Sequence, residues 1–261
     1  MIVFAAFTPH SPLLMPAIGI AKEKQQKKTS EAMRLLSSRL RKTKPETIVV
    51  ISSHSFQHKT AFSINLHDRY MTDLSKYGDL GAHKTFLPDV QTIDQAQRFL
   101  RGQDIPVTLD SEETLDYSIA VPLLLLTDKL SAKIIPISYS GLGPKEHAAF
   151  GNALREILSR SSKRIALIAT GDLSHALESS GPAGFKPEGK KFDDAVAEAI
   201  KQKSLSKLLS LDEQIVRASS ECAYLPLLIL FGALEKIRMR SEILSYETPF
   251  GVGYLVAEFH L

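Results

Sequence analysis

The segment Thr47-Ile-Val-Val-Ile-Ser-Ser-His54 constrains the fold of this chain more than any other. Its first five residues are uncharged and β-branched, which favours a strand. Pro45 ends the helical pattern before it, because proline has no backbone N–H to donate within a helix. An uninterrupted apolar run of this length is typical of a strand that is buried on both faces of a parallel or mixed sheet. We therefore predict a central strand whose C-terminal end carries His54.

Two other segments repeat this pattern of an apolar strand followed by a histidine. Met1-Ile-Val-Phe-Ala-Ala-Phe7 leads to His10, and Arg164-Ile-Ala-Leu-Ile-Ala-Thr170 leads to Gly171-Asp-Leu-Ser-His175. In open α/β sheets, ligands bind at the C-terminal ends of the strands, and the ends of neighbouring strands lie about 5 Å apart. Each histidine alone could simply bind a backbone carbonyl. Three at equivalent strand ends indicate a shared site.

The rest of the chain alternates helical and extended patterns. We predict helices over residues 21–42, 115–130 and 221–237, the second with a proline in its first turn. Residues 60–66 alternate like a strand with one solvated face, and residues 73–88 are predicted to form a loop that covers the strand ends. Without a linker or an internal repeat, residues 1–261 are predicted to form a single α/β domain. Its central, mostly parallel or mixed sheet is flanked by helices, with a metal site at the C-terminal ends of the strands.

Composition limits the partners that we expect for the protein and the compartment in which we expect to find it. The 32 Lys and Arg residues against 29 Asp and Glu leave a net charge of only +3, and no aromatic residues are interleaved with the basic ones, so we expect no nucleic-acid partner. No apolar run is long enough to cross a membrane, and the N-terminus lacks the features of a signal peptide. The single cysteine excludes an internal disulfide and agrees with a reducing compartment. We therefore expect a cytoplasmic protein.

A divalent metal held by neutral imidazoles also needs an anionic ligand. Two histidines and one carboxylate form the facial arrangement that is diagnostic of non-haem Fe(II) oxygenases. Glu221 is the candidate carboxylate, because it precedes the most hydrophobic helical segment of the chain, where an unpaired charge is costly. The alternative is that Glu221 only complements the dipole of this helix.

Four motifs together resemble a known family. Thr8-Pro-His-Ser-Pro-Leu-Leu14, Val50-Ile-Ser-Ser-His54, Gly171-Asp-Leu-Ser-His175 and Glu221-Cys222 followed by Gly232-Ala-Leu234 are similar, in this order and spacing, to the class III extradiol ring-cleavage dioxygenases (LigB type). The resemblance implies an α/β domain in which His10, His54 and Glu221 bind Fe(II), with zinc as an alternative metal. It also implies that His175 is the catalytic base. The substrates would be a small aromatic diol and O2.

The resemblance carries further expectations about single residues and partners. Tyr117 stands where the family often has a histidine, so we predict that its hydroxyl donates a hydrogen bond to substrate or oxygen; packing under the loop is the alternative. Cys222 is similar to a cysteine that Memo-type relatives use near this position. Two further segments resemble the branch that is found beside or fused to an AMMECR1-type domain, which implies an AMMECR1-type partner protein. We expect a homodimer.

Three functions follow from these observations. The first is an Fe(II)-dependent dioxygenase that opens the ring of a catechol. The second is a metal- or anion-binding module of Memo type without ring cleavage. The third is a metal-dependent hydrolase, in which the same ion activates water and His175 moves its proton.

Overall fold

In the computed structural model of the chain, residues 1–55 and 57–261 are described, residues 21 and 23 by their backbone alone. The strands are β1 (Ile2–Thr8), β2 (Thr47–Ser52), β3 (Phe62–Asn65), β4 (Tyr70–Thr72), β5 (Thr85–Phe86), β6 (Val107–Asp110), β7 (Thr114–Leu115), β8 (Lys133–Ser138), β9 (Ile165–Thr170), β10 (Arg240–Glu247) and β11 (Tyr254–His260). The α-helices are α1 (Pro16–Gly19), α2 (Lys27–Thr43), α3 (Val90–Gly102), α4 (Tyr117–Leu126), α5 (Pro144–Arg160), α6 (Pro187–Gln202), α7 (Leu205–Leu209), α8 (Glu213–Ser219) and α9 (Tyr224–Leu234).

An eight-stranded mixed sheet forms the centre of the fold, in the order β10-β11-β1-β9-β2-β8-β3-β6. Its middle strands β1, β9, β2 and β8 are parallel, while β11 and β3 join their two sides in antiparallel orientation. A second sheet of three short strands has the order β5-β4-β7. The predicted mixed α/β fold with a central, mostly parallel sheet is therefore confirmed.

Apolar side chains cover both faces of the large sheet. On one face, α2 and α4 pack against alternate residues of the central strands, such as Phe4 and Val50. On the other face, α3, α5, α6 and α9 pack against the intervening residues, such as Phe7 and Ile51. Because both faces are buried, β2 and β9 contain only buried residues, as the uninterrupted apolar runs predict. Flanking helices on both faces leave the strand ends as the place for a site.

Four local predictions differ from the structure. The strand in residues 60–66 is β3, which pairs with β8 and β6, and all four of its residues are buried, so neither of its faces is solvated. The proline of the 115–130 helix, Pro122, lies inside α4 rather than in its first turn. The last long helix, α9, begins at Tyr224, so Glu221 precedes it. Residues 73–88 include β5 and a short 3-10 helix at Ser75–Tyr77.

No helix among the described residues has both the length and the apolar character needed to cross a bilayer.

Two glycines allow α5 and α9 to pack closely. A Cβ at Gly232 of α9 would lie 2.2 Å from the carbonyl oxygen of Ala148, and a Cβ at Gly151 of α5 would lie 2.1 Å from that of Ile229. These positions contact backbone rather than flexible side chains, so neither helix can accept a larger residue without moving. The orientation of α9, and of the segment that leads into it, therefore depends on these glycines.

We expect Gly232→Ala to destabilise the protein by about 1–3 kcal/mol, because the added methyl group overpacks the contact between α5 and α9. Urea unfolding monitored by circular dichroism would measure this change. Gly102→Ala is the matched control, since nothing lies within 4 Å of a Cβ at that position. Its free energy of unfolding should change by no more than about 0.5 kcal/mol. Equal stability of the two variants would contradict the packing role of Gly232.

Candidate functional site

The parallel arrangement of β1, β9 and β2 brings the three predicted histidines to one edge of the sheet. His10 follows β1, His175 follows β9 and His54 follows β2, and β9 lies between the other two strands. The ring centroids of His10 and His54 are 5.0 Å apart, with the rings at 76° to each other. Burial lowers the pKa of His10, and the nearby imidazoles of His54 and His175 lower it further. The sequence pattern of three strands and three histidines thus corresponds to one spatial cluster.

Cys222 completes a group that could hold a metal ion. One ligand atom each from His10, His54 and Cys222 lies within 4.8 Å of the others. The Cys222 sulfur is 3.4 Å from Nε2 of His10. His10 is buried, Cys222 is half-buried and His54 is exposed, so the group is accessible from the side of His54.

Glu221, the predicted carboxylate ligand, lies beside this group with its carboxylate engaged elsewhere. Oε2 of Glu221 accepts hydrogen bonds from the backbone N–H groups of Ala223 (2.5 Å) and Tyr224 (2.6 Å), where α9 begins. Burial raises the pKa of Glu221 to about 7. The carboxylate therefore satisfies N–H groups at the start of α9, as the helix-dipole alternative expects. Glu221 as a metal ligand remains a prediction from sequence.

Gly171 explains how the Cys222 segment approaches β9. A Cβ at this position would lie 2.5 Å from Cα of Ala223 and 2.8 Å from the carbonyl oxygen of Cys222. The neighbouring backbone also joins the two segments, because Cys222 N–H donates to the carbonyl oxygen of Asp172 at 3.1 Å. A residue larger than glycine would therefore displace Cys222 from His10.

Asp172 is a site residue to which sequence reasoning gave no role. Oδ1 accepts a hydrogen bond from the backbone N–H of His10 at 3.1 Å, and Oδ2 lies 3.9 Å from Nε2 of the same residue. Burial raises the pKa of Asp172 to about 7. The available signal was its place in Gly171-Asp-Leu-Ser-His175, directly after a buried strand. Asp172 orients the His10 segment and puts a second acidic group beside the imidazoles.

The tautomer of His10 follows from a chain of hydrogen bonds that begins at Pro122. Because Pro122 has no backbone N–H, the carbonyl group of Ser118, one turn earlier in α4, lacks its usual helical donor. The Thr170 hydroxyl donates to this carbonyl at 2.9 Å. Its oxygen then accepts from Nδ1 of His10, 3.4 Å away. This assignment leaves Nε2 of His10 without a proton and directed towards Cys222, as a metal ligand requires.

His175 lies on a segment that is anchored from two sides. Its backbone N–H donates to the carbonyl oxygen of Ser219 at 2.9 Å, and the preceding residue, Ser174, donates its N–H to Oδ1 of Asp193 at 2.8 Å. Nδ1 of the His175 ring is buried and has no hydrogen-bond partner among the described residues. Burial lowers the pKa of this imidazole. A neutral ring with an unused nitrogen is able to accept a proton.

Tyr117, the other predicted catalytic residue, contacts both metal-site histidines. Its ring stacks on His54 with centroids 5.3 Å apart and meets His10 edge-on at 5.6 Å. Burial raises the pKa of its hydroxyl above the usual value, and the acidic groups of Cys222 and Asp116 raise it further. The hydroxyl therefore stays protonated and remains a hydrogen-bond donor. Tyr77, from the 73–88 segment, covers the Tyr117 ring at 5.3 Å.

Residues 4–257 match a family described as the catalytic LigB subunit of aromatic ring-opening dioxygenase. The chain belongs to the LigB family. It is 27% identical over 256 residues to Protein CA_C1420 of Clostridium acetobutylicum, a match that covers 94% of this chain and 55% of that protein. The chain thus spans about half the length of this curated relative. The LigB-type resemblance of the sequence motifs is confirmed, and the family implies an enzyme of the dioxygenase type.

A solved structure supports the fold alone. The uncharacterized protein JW3007 from Escherichia coli K12 superimposes with a TM-score of 0.66 at 19% identity, covering 98% of this chain and 99% of that one. The two proteins therefore share their fold along nearly the whole of both chains.

The donor set of this LigB-family site fits a divalent transition metal. Neutral imidazoles and a thiolate suit iron, zinc or copper ions rather than magnesium or calcium. Burial keeps the His10 imidazole neutral by lowering its pKa well below the usual range. Burial also raises the pKa of the Cys222 thiol well above its usual value. Binding of a cation through Cys222 must therefore displace a proton, which makes metal affinity increase with pH.

Substitutions at the adjacent residues 221 and 222 distinguish the two candidate third ligands. We expect Cys222→Ser to weaken binding of Fe(II) or Zn(II) by at least about tenfold, because a ligand of the group is lost. Glu221→Gln should leave the affinity within about threefold, because the carboxylate is bonded to the start of α9. Equilibrium dialysis with elemental analysis would measure both. The opposite result would show that Glu221 is the third ligand.

Asp193, which anchors the His175 segment, should make stability depend on pH. Burial raises its pKa from 3.8 to about 6. Below pH 3.8 both the folded and the unfolded chain hold this proton; between pH 3.8 and 6 only the folded chain does. This contribution to the free energy of unfolding therefore decreases as pH rises through this window, and it is constant above it.

We expect the wild-type protein to lose about 2–3 kcal/mol more stability between pH 4 and 6 than Asp193→Asn does, since the amide does not titrate. Urea unfolding at pH 4, 5 and 6 would measure the difference. Parallel stability curves for the two proteins would contradict the raised pKa of Asp193.

Proposed function

We propose that this protein is a non-haem Fe(II)-dependent extradiol dioxygenase that opens the ring of a catechol-type substrate with O2. The observation that carries the proposal is the convergence of His10, His54 and His175 at one sheet edge in a member of the LigB family. His10 and His54 would bind the metal. The metal affinities of the Cys222→Ser and Glu221→Gln variants would identify the third ligand.

His175 is the proposed general base. A bound Fe(II) supplies the redox chemistry with O2 and lowers the pKa of the substrate hydroxyls. The His175 imidazole lies near that of His54, and burial lowers its pKa. His175 would take the proton of one catechol hydroxyl, since an imidazole that is neutral at physiological pH is suited to that role.

Tyr117 is the proposed hydrogen-bond donor to the bound substrate or oxygen. Its ring contacts fix it against His54 and His10. Its raised pKa keeps the phenol protonated, so it can donate but does not act as a base at neutral pH.

Cys222 favours a second candidate function, a metal-binding module of Memo type without ring cleavage. A group of two imidazoles and one thiol lacks the carboxylate of the oxygenase triad, and it is also a suitable set for zinc. The two candidates predict different metals, and only the dioxygenase predicts a ring-opened product.

The protein is purified and loaded with Fe(II) under anaerobic conditions. When it is then mixed with a catechol and O2, it should consume one O2 for each catechol and form a yellow ring-opened product. We expect His175→Ala to retain the metal and to reduce kcat by about 10²–10⁴-fold, because only the base is removed. His54→Ala should lose the metal while keeping the circular dichroism spectrum of the folded protein. Oxygen electrode traces, absorbance spectra and elemental analysis would test these expectations.

Two results would argue against the proposal. Loss of the ion in His175→Ala would mean that the roles of ligand and base are assigned wrongly. Copurified zinc, with no O2 uptake by the Fe(II)-loaded protein, would support the metal-binding module instead.

A further inference from the structure

A cleft of about 410 Å³ opens directly beside the candidate metal site. His54 and Tyr117, which belong to that site, also form part of the cleft wall. A cleft of this size is in the range that accommodates small molecules. A ring bound at the histidines would therefore direct a substituent into the cleft.

Negative charge dominates the cleft wall. Four carboxylates line it, against one ammonium group, that of Lys76; the carboxylates belong to Asp73, Asp110, Glu112 and Asp116. His58 lies near Asp110 and adds positive charge only when it is protonated. The charge of the cleft wall is opposite in sign to that of the whole chain, which has a net charge of +3. The negative potential is therefore a local property of this cleft.

The described hydrogen bonds of these carboxylates come from neutral donors. Asp116 accepts from the backbone N–H of Ser118 at 2.8 Å and also from its hydroxyl, and Asp73 accepts from the N–H of Ser75. Oδ1 of Asp110 is buried without a hydrogen-bond partner among the described residues. Burial raises the pKa of Asp110 because it destabilises the charged carboxylate, and a cation placed beside this carboxylate would stabilise it. None of the described hydrogen bonds joins these carboxylates to a cationic side chain, so a cationic ligand can pair with them.

The backbone at Glu112 is fixed in the wall. The Asn65 side chain donates to the carbonyl oxygen of Glu112 at 2.8 Å and accepts from its N–H at 3.0 Å. Both groups of the amide are used, and Asn65 is itself buried. The backbone that carries the Glu112 side chain is therefore held in place before a ligand binds, which reduces the entropy cost of binding.

Two aromatic rings lie in the same wall. Tyr77 and Tyr117 are in contact, with centroids 5.3 Å apart, and both line the cleft. The Asp116 charge acts on both tyrosine hydroxyls, which places this carboxylate close to the rings. Aromatic faces next to carboxylates are a typical environment for an ammonium group.

From these observations we infer that the substrate is a catechol whose ring substituent carries an ammonium group, and that Asp110, Glu112 and Asp116 exclude catechols with a carboxylate substituent. This inference rests on the proposed function, because it places the catechol ring at His10 and His54. It adds the chemical class of the substituent, which the family of the chain does not specify.

Three catechols with the same ring and different substituents would test this inference. They carry an aminoethyl, an ethyl or a carboxyethyl group at the same position. Equilibrium binding is measured by calorimetry with zinc-loaded protein, and kcat/KM is measured by O2 uptake with Fe(II)-loaded protein. At low ionic strength we expect the aminoethyl compound to bind about tenfold more tightly than the ethyl compound, and the carboxyethyl compound about tenfold more weakly. Salt should reduce both differences.

Charge-neutralising variants connect the preference to the cleft. Glu112→Gln should reduce the ratio of aminoethyl to carboxyethyl affinity by about threefold or more, and Asp110→Asn combined with it should reduce the ratio further. Glu112 is exposed, so its substitution should not affect folding. Glu213→Gln is the control, because this exposed side chain on α8 is not part of the cleft wall. Its ratio should equal that of the wild-type protein.

The results separate failure of this inference from failure of the proposed function. Ring opening of all three catechols at equal kcat/KM would overturn the inference and leave the dioxygenase proposal intact. Tight binding of the aminoethyl compound without O2 uptake would support charge selection by the cleft and reject ring cleavage. If the wild-type protein and Glu112→Gln each bind the three catechols with equal affinity, the inference is overturned, whether or not the protein opens the ring.

Discussion

The parallel pairing of β1, β9 and β2 is the constraint on which the rest of the structure depends. Parallel strands direct their C-terminal ends to one edge of a sheet, so the residues that follow them become neighbours, however distant they are in sequence. His10, His175 and His54 meet for this reason. The same edge also receives Cys222 and the start of α4, and all of the proposed chemistry takes place there.

Burial controls the protonation of this site. His10 is almost fully buried, and without a nearby cation its imidazole stays neutral. The same loss of solvent raises the pKa of Asp172 to about 7 and that of the Cys222 thiol well above its usual value. A bound cation reverses the balance, because it stabilises the thiolate and the carboxylate that burial disfavours. The site is therefore arranged to exchange protons for a metal ion.

Packing against backbone explains why several small residues occupy their positions. Gly171 allows the Cys222 segment to approach β9, and Gly232 allows α9 to approach α5. Pro122 frees a carbonyl group in α4 that accepts the Thr170 hydroxyl and so orients His10. None of these residues contacts a substrate in the proposed mechanism. Each of them helps to determine where a residue of the candidate metal site is placed.

The sequence by itself determined the mixed α/β fold and the three strand-end histidines, because uninterrupted β-branched runs have few alternatives to buried parallel strands. It also contained the LigB-type motifs. It did not determine which of two adjacent residues, Glu221 or Cys222, faces His10, since that depends on where α9 begins and on which backbone N–H groups need a partner. The acidic cleft was equally out of reach, because Asp73 and the stretch from Asp110 to Asp116 are separate segments that only the tertiary fold brings together.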